Sequence, residues 1–181
     1  MTIKFTGNLH ESMDGEIDFG DLQDQDKVVH GGVDAVVGAD EEGSSNATID
    51  KSVGVSTIVA GDGVTSVSVS GDKTLTLVGG SSENVSKELI SFGDGVEGKV
   101  DIAGKIALGT EGSTDEYGTL SSKVTINEKG TLAVNGGKFT VADATVDAGG
   151  TVAVAGGEAT FEKLQTSGGT IDVTGGSASI G

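Results

Sequence analysis

Cysteine, proline, tryptophan and arginine are all absent from the 181 residues. Each absence excludes something. Without cysteine there are no disulfides, no thiol catalysis and no thiolate metal sites. Without arginine the eleven cations are all lysines, and the usual bidentate reader of phosphate and carboxylate is missing. A net charge of -17 disfavours nucleic acid and anionic membrane as partners, since both select for cationic surface. No run approaches the roughly 18 apolar residues of a membrane helix, so no membrane insertion by this segment is expected. Met1-Thr-Ile-Lys-Phe5 lacks the apolar stretch of a signal peptide. An export signal, if there is one, was removed, lies elsewhere or is of another kind.

What is present is glycine, 32 residues of it. At this level and without proline the composition fits neither collagen nor a typical disordered linker. Val, Ile and Leu alternate with Thr, Ser and Asp, as in ordered strands. The alternation is also repeated. Gly130-Thr-Leu-Ala-Val-Asn-Gly-Gly137 returns as Gly150-Thr-Val-Ala-Val-Ala-Gly-Gly157 and as Gly169-Thr-Ile-Asp-Val-Thr-Gly-Gly176. The steps are 20 and 19 residues. A fixed period of short strands and glycine corners predicts units that bury their apolar faces only against neighbours.

The predicted fold is all-β, a single-stranded parallel β-helix with rungs of about 19–25 residues. Residues two apart share one face of a strand. The inward ladder is therefore predicted to include Leu132, Val134, Phe139, Val141, Val152, Val154, Phe161, Leu164, Ile171 and Val173, with Thr131, Lys138, Thr151 and Glu158 facing solvent. Successive layers alternate in volume: Phe139 beneath Ala159, Val141 beneath Phe161, Ala144 beneath Leu164. Large over small fills a narrow interior without voids.

The register extends backwards. Lys73-Thr-Leu-Thr-Leu-Val-Gly-Gly80 lies 57 residues before the first clear copy, which predicts three steps of 19. Val67-Ser-Val69 matches Ala144-Thr-Val146, and Val100 to Leu108 reads as another turn. A loop excursion is expected at 109–122, and Thr114, Asp115, Glu116 and Tyr117 within it are adhesive-loop candidates, because loops leaving a solenoid tend to carry what is specific to a protein. A solvated excursion is the default reading. Residues 1–52 hold 12 acidic residues against 3 lysines and show no clear step. They read as an acidic N-terminal cap with degenerate first turns, covering an otherwise open edge. Residues 53–181 form the solenoid proper.

Motifs for chemistry are few. Gly93-Asp-Gly95-Val-Glu-Gly98 has the GxGxxG spacing, but a dinucleotide site needs a helix next, and Lys99-Val-Asp-Ile102 alternates like a strand. No cofactor is expected. Asp14, Glu16 and Asp18 share a strand face and are the calcium candidates. An EF-hand is excluded, with Phe19 at the sixth position and Gln25 at the twelfth, and a solvated acidic cap is the preferred reading. His10 and His30 have no partner at metal-ligand spacing. Asn46-Ala-Thr48 and Asn84-Val-Ser86 match the N-glycosylation acceptor at chance spacing.

The pattern Gly-Thr-[Leu/Val/Ile]-x-Val-x-Gly-Gly-x-[Ala/Phe]-[Thr/Ser], carried by residues 130–141, 150–161 and 169–180 and more faintly by 74–80, resembles the passenger repeats of AIDA-type self-associating autotransporter adhesins. The resemblance implies a right-handed parallel β-helix, an extracellular or cell-surface location, and adhesion or autoaggregation through the solenoid face. It also implies Ser/Thr glycosylation, for which Thr131, Thr151 and Thr170 stand at the matching place. The chain shows no membrane barrel, no junction region and no signal peptide, which such proteins carry.

Three functional readings follow. The first is a bacterial surface or secreted structural and adhesive β-solenoid, not an enzyme, whose partners are itself (head-to-tail or side by side) or host and cell-surface glycans. The second is a pectate-lyase-like carbohydrate-active β-helix, for which Lys99 or Lys105 beside Asp94, Glu97 and Asp101 would have to stand in for the basic residue. The third is a filament-forming solenoid subunit like the bactofilins. The open strand edge at residues 169–181 raises a fourth matter: a piece of a longer surface protein is the preferred expectation, ahead of head-to-tail filament growth.

Overall fold

The computed structural model describes residues 2–4 (backbone only), 34–81 and 87–181. Every regular element among them is a strand, and none is a helix long and apolar enough to cross a membrane. In chain order they are β1 (Thr2–Lys4), β2 (Asp34–Val37), β3 (Asn46–Ile49), β4 (Val53–Val55), β5 (Thr57–Ala60), β6 (Ser66–Val69), β7 (Thr74–Leu77), β8 (Ile90–Ser91) and β9 (Lys99–Ile102). There follow β10 (Lys105–Leu108), β11 (Tyr117–Ile126), β12 (Thr131–Val134), β13 (Lys138–Val146), β14 (Thr151–Val154), β15 (Glu158–Phe161), β16 (Leu164–Thr166), β17 (Thr170–Val173) and β18 (Ser177–Ile180). All paired strands run parallel, and the chain coils into a β-solenoid of about seven turns.

The coil has three faces. One is β17-β14-β12-β10-β7-β4. A second runs β3-β6-β9 and on through the C-terminal halves of β11 and β13 to β16. The third begins with β1-β2-β5-β8. It continues into the N-terminal halves of β11 and β13, then β15 and β18, because the Glu88↔Thr119 bridge joins the two parts. The N–H of Leu89 donates to the Thr119 carbonyl at 2.8 Å, and the N–H of Thr119 donates to Lys87 at 2.8 Å.

The interior is built of apolar ladders. Leu75, Ile106, Leu132 and Val152 stack in register, as do Leu77, Leu108, Val134 and Val154, and all eight are fully buried. Full burial of such a side chain contributes about 1.5–3 kcal/mol each. The expected volume alternation holds, with Phe139↔Ala159, Val141↔Phe161 and Ala144↔Leu164. It also extends one layer down. Gly118 stacks beneath Phe139, and a Cβ at Gly118 would meet Leu89 Cδ2 at 2.4 Å. Leu89 thus fills the space that Gly118 leaves.

Four details differ from the sequence-based expectation. Ile171 and Val173 belong to the inward ladder by register but are 39% and 48% exposed, because β17 lies at the edge of its sheet. Leu164 is only half-buried for the same reason, β16 pairing β13 alone. The 57-residue interval before the first clear copy is two rungs, not three: Thr74 pairs Lys105 and Lys105 pairs Thr131. Those rungs are lengthened by corner loops such as 109–116. Finally, the stretch 117–122, taken with 109–116 as a loop, is strand that pairs β13 from Tyr117↔Lys138 onward.

The glycine corners have a steric cause. A Cβ on Gly130 would lie 1.9 Å from the Ile102 carbonyl oxygen of the turn below. Gly157, on the opposite corner, has φ +68. Only glycine accepts both conditions without strain.

Candidate functional site

The loop of residues 109–116 stands over a glycine-lined corner. Its shape comes from Glu116, whose carboxylate accepts the Thr110 N–H at 2.6 Å and the Thr110 hydroxyl at 2.9 Å. The Glu116 carbonyl accepts the Lys138 N–H at 2.8 Å. Glu116 therefore braces the loop, whereas Thr114 and Asp115 are exposed. The Ser113 hydroxyl donates to Asp115 at 3.2 Å, and the Tyr117 hydroxyl to the Thr114 carbonyl at 3.3 Å. Of the four candidates, two face outward and two hold the loop in place.

Tyr117 also begins a column. On the outer side of the third face Thr119, Thr140, Thr160 and Ser179 stack in register, beside Tyr117, Lys138, Glu158 and Ser177. The Ser179 hydroxyl donates to Thr160 at 3.2 Å, and Lys138 lies 3.7 Å from Glu158. These eight outward positions carry one cation and one anion. The chain as a whole carries -17. A shallow trough of about 290 Å³ runs across this surface, lined by Tyr117, Thr119, Lys138, Thr140, Glu158 and Thr160.

A larger groove, about 620 Å³, opens where the second and third faces meet. Its wall is an irregularity in β11. Leu120 pairs Val141 and Lys123 pairs Asp143, so Ser121 and Ser122 face Ala142 alone. Such a β-bulge leaves one N–H without a ladder partner. Glu88 supplies it: Oε1 accepts the Ser121 N–H at 2.9 Å and Oε2 the Ser121 hydroxyl at 2.5 Å. Phe92 packs partly against the core and lies over Gly98, where a Cβ would sit 2.0 Å from the ring. Val96 is 37% exposed. Glu97, Lys123 and Asp143 complete the polar lining, Asp143 through a carboxylate that takes Lys163 at 2.9 Å.

This geometry accounts for the GxGxxG spacing. Gly95, at φ +74, turns the loop, Gly98 makes room for Phe92, and Lys99 opens β9 rather than a helix. Asn46 is likewise occupied. Its amide donates to Asp40 at 2.8 Å and to Thr48 at 2.9 Å, and its carbonyl oxygen accepts Ser66 and Ser68 at 2.9 and 2.8 Å. Near the N-terminal end Asp34 accepts hydrogen bonds from Thr57 at 2.5 Å and Lys87 at 2.9 Å. Burial raises the Asp34 carboxyl, but those hydrogen bonds and the Lys87 charge outweigh it and hold the group below its ordinary 3.8.

Asp14, Glu16, Asp18, His10, His30 and Asn84 lie outside the described residues. Among the described residues no group of three or more His, Asp or Glu is placed to hold a metal ion. Sequence reasoning missed Glu88, Phe92 and the Ser121 bulge. The only trace was spacing: three residues separate Leu120 from Val124, where two separate Val141 from Ala144. No protein-family model, curated protein or solved structure matches the chain.

Proposed function

We propose that this chain is a structural and adhesive β-solenoid of a bacterial surface or secreted protein, joining copies of itself through its polar outer face and catalysing no reaction. The observation that carries the reading is the stacked column Thr119, Thr140, Thr160 and Ser179 beside the Lys138–Glu158 pair. Parallel strands repeat about every 4.8 Å, so the column sets hydroxyls at fixed spacing on a surface whose eight outward positions carry no net charge. In an acidic protein, a neutral face is where two like molecules approach with least repulsion. Each contact is weak, and their number along the axis supplies the strength. The interior is committed to apolar ladders. The resemblance to AIDA-type repeats supports the same reading.

Beads coated with the protein provide the test. They are expected to clump, and beads coated with the Thr140→Glu/Thr160→Glu variant to stay dispersed, since the new carboxylates add repulsion at the approaching faces. Equal clumping of the two would count against the reading. Release of unsaturated products from polygalacturonate with calcium would replace it with the lyase alternative.

A further inference from the structure

We propose that the groove between Phe92 and the Ser121 bulge is a binding site for a neutral saccharide. The groove borders the hydroxyl column at Thr119, which Glu88 bridges, but none of the four column residues lines it, and the proposal does not rest on self-association. At about 620 Å³ the groove falls within the 300–1,000 Å³ range of small-ligand clefts. Its lining is amphipathic in a specific way. Phe92 and Val96 give an apolar strip, and Phe92 is fixed in place by Gly98 beneath it. A pyranose ring has an apolar C–H face that suits such a strip and a rim of hydroxyls that needs donors and acceptors.

The rim of the groove provides them. The Glu97 carboxylate and the Lys123 ammonium line it with no other side-chain hydrogen bond or ion pair among the described residues. They are an acceptor of two hydroxyl protons and a three-proton donor, respectively. The supports are rigid where they need to be. Glu88 is pinned by both of its bonds to Ser121, which fixes the bulge that carries Lys123 into the groove. Charge selects the saccharide class. Glu88, Glu97 and Asp143 stand against Lys123 and the Lys163 that pairs with Asp143, which leaves the groove negative, so an anionic uronate meets net repulsion, while a neutral sugar does not.

Titration of the isotope-labelled protein with an N-acetylglucosamine trimer, cellotriose and a galacturonate trimer, followed by amide shifts, tests the site. Either or both neutral trimers are expected to perturb amides of residues 91–98 and 121–123 in a saturable way. Glu97→Gln, at an exposed position, and Phe92→Leu are each expected to weaken binding about tenfold, equivalent to one charged hydrogen bond or its apolar counterpart. Thr140→Glu/Thr160→Glu is expected to bind normally. The proposal is overturned if neither neutral trimer perturbs the groove, if the galacturonate trimer binds as well as they do, or if dispersed, folded spectra of both groove variants show unchanged affinity.

Discussion

Glu88 reaches across 33 residues of chain to close both of its carboxylate oxygens on Ser121, one on the N–H at 2.9 Å and one on the hydroxyl at 2.5 Å. The contact repairs the place where β11 carries one residue too many. It also joins the part of the third face that begins at β1 to the part that ends at β18. Glu88→Ala is expected to cost about 1 kcal/mol, since the freed N–H at Ser121 is exposed and water replaces part of the lost bond. Urea unfolding reads the change, and a cost below measurement error would mean that the bulge holds itself.

Burial in the ladder predicts a sharp contrast between two valines of one column. Val154 is fully buried, whereas Val173, its partner one turn on, is 48% exposed. Val154→Asp is expected to destabilise by more than about 3 kcal/mol, because it leaves an unpaired charge among apolar layers. Val173→Asp should cost under about 1 kcal/mol. Thermal melts of the pair check the contrast: equally large effects would mean that β17 is covered rather than at an edge, and equally small ones that Val154 does not face the core.

Glycine placement gives a pair of opposite effects at adjacent residues. Gly130→Ala forces a Cβ to within 1.9 Å of the Ile102 oxygen and is expected to destabilise by roughly 2–4 kcal/mol. Lys129 has φ 68, where the next turn has Gly149 at φ +85. Lys129→Gly relieves a left-handed strain of about 1–2 kcal/mol against about 0.5–1 kcal/mol of added chain entropy. A small rise in Tm is expected, and a fall would show that the Lys129 side chain matters more than its backbone.

Asp34 sets an acid limb. Its carboxyl is held below its ordinary value by Thr57 and Lys87. The stabilisation is therefore present above pH 3.8 and lost as the pH falls through the lower folded value. Both partners are about a third exposed, which limits the pair to under about 1 kcal/mol. Asp34→Asn should be slightly less stable than wild type at pH 6 and indistinguishable near pH 2. A gap that widens on acidification contradicts this assignment.

Much of the coil was legible in the sequence because a period-two alternation broken by glycine corners has few parallel solutions. The three clear copies gave the register through residues such as Val152 and Phe161 without any distance information. Exposure of Ile171 and Val173 was not legible, since it depends on what lies beyond a strand rather than on the strand. The groove was not legible either. Its parts, Glu88, Phe92 and Ser121, are separated by up to 33 residues and meet only because two lengthened rungs place them on one corner. Glu116 stands among the adhesive-loop candidates by sequence, yet its carboxylate accepts the Thr110 N–H and hydroxyl, a six-residue contact that spacing alone does not reveal.

Sedimentation of the purified chain across a concentration series, at low and at physiological salt, tests self-association through the neutral hydroxyl face most directly. With a net charge of -17 the molecules repel at low salt. At about 0.15 M salt the screening length is near 8 Å, and the faces can meet. The expected result is a sedimentation coefficient that climbs with concentration and with salt for wild type, and stays flat for Thr140→Glu/Thr160→Glu. A wild-type chain that remains monomeric throughout, or a variant that associates equally well, would contradict the assignment of Thr119, Thr140, Thr160 and Ser179 as the adhesive column.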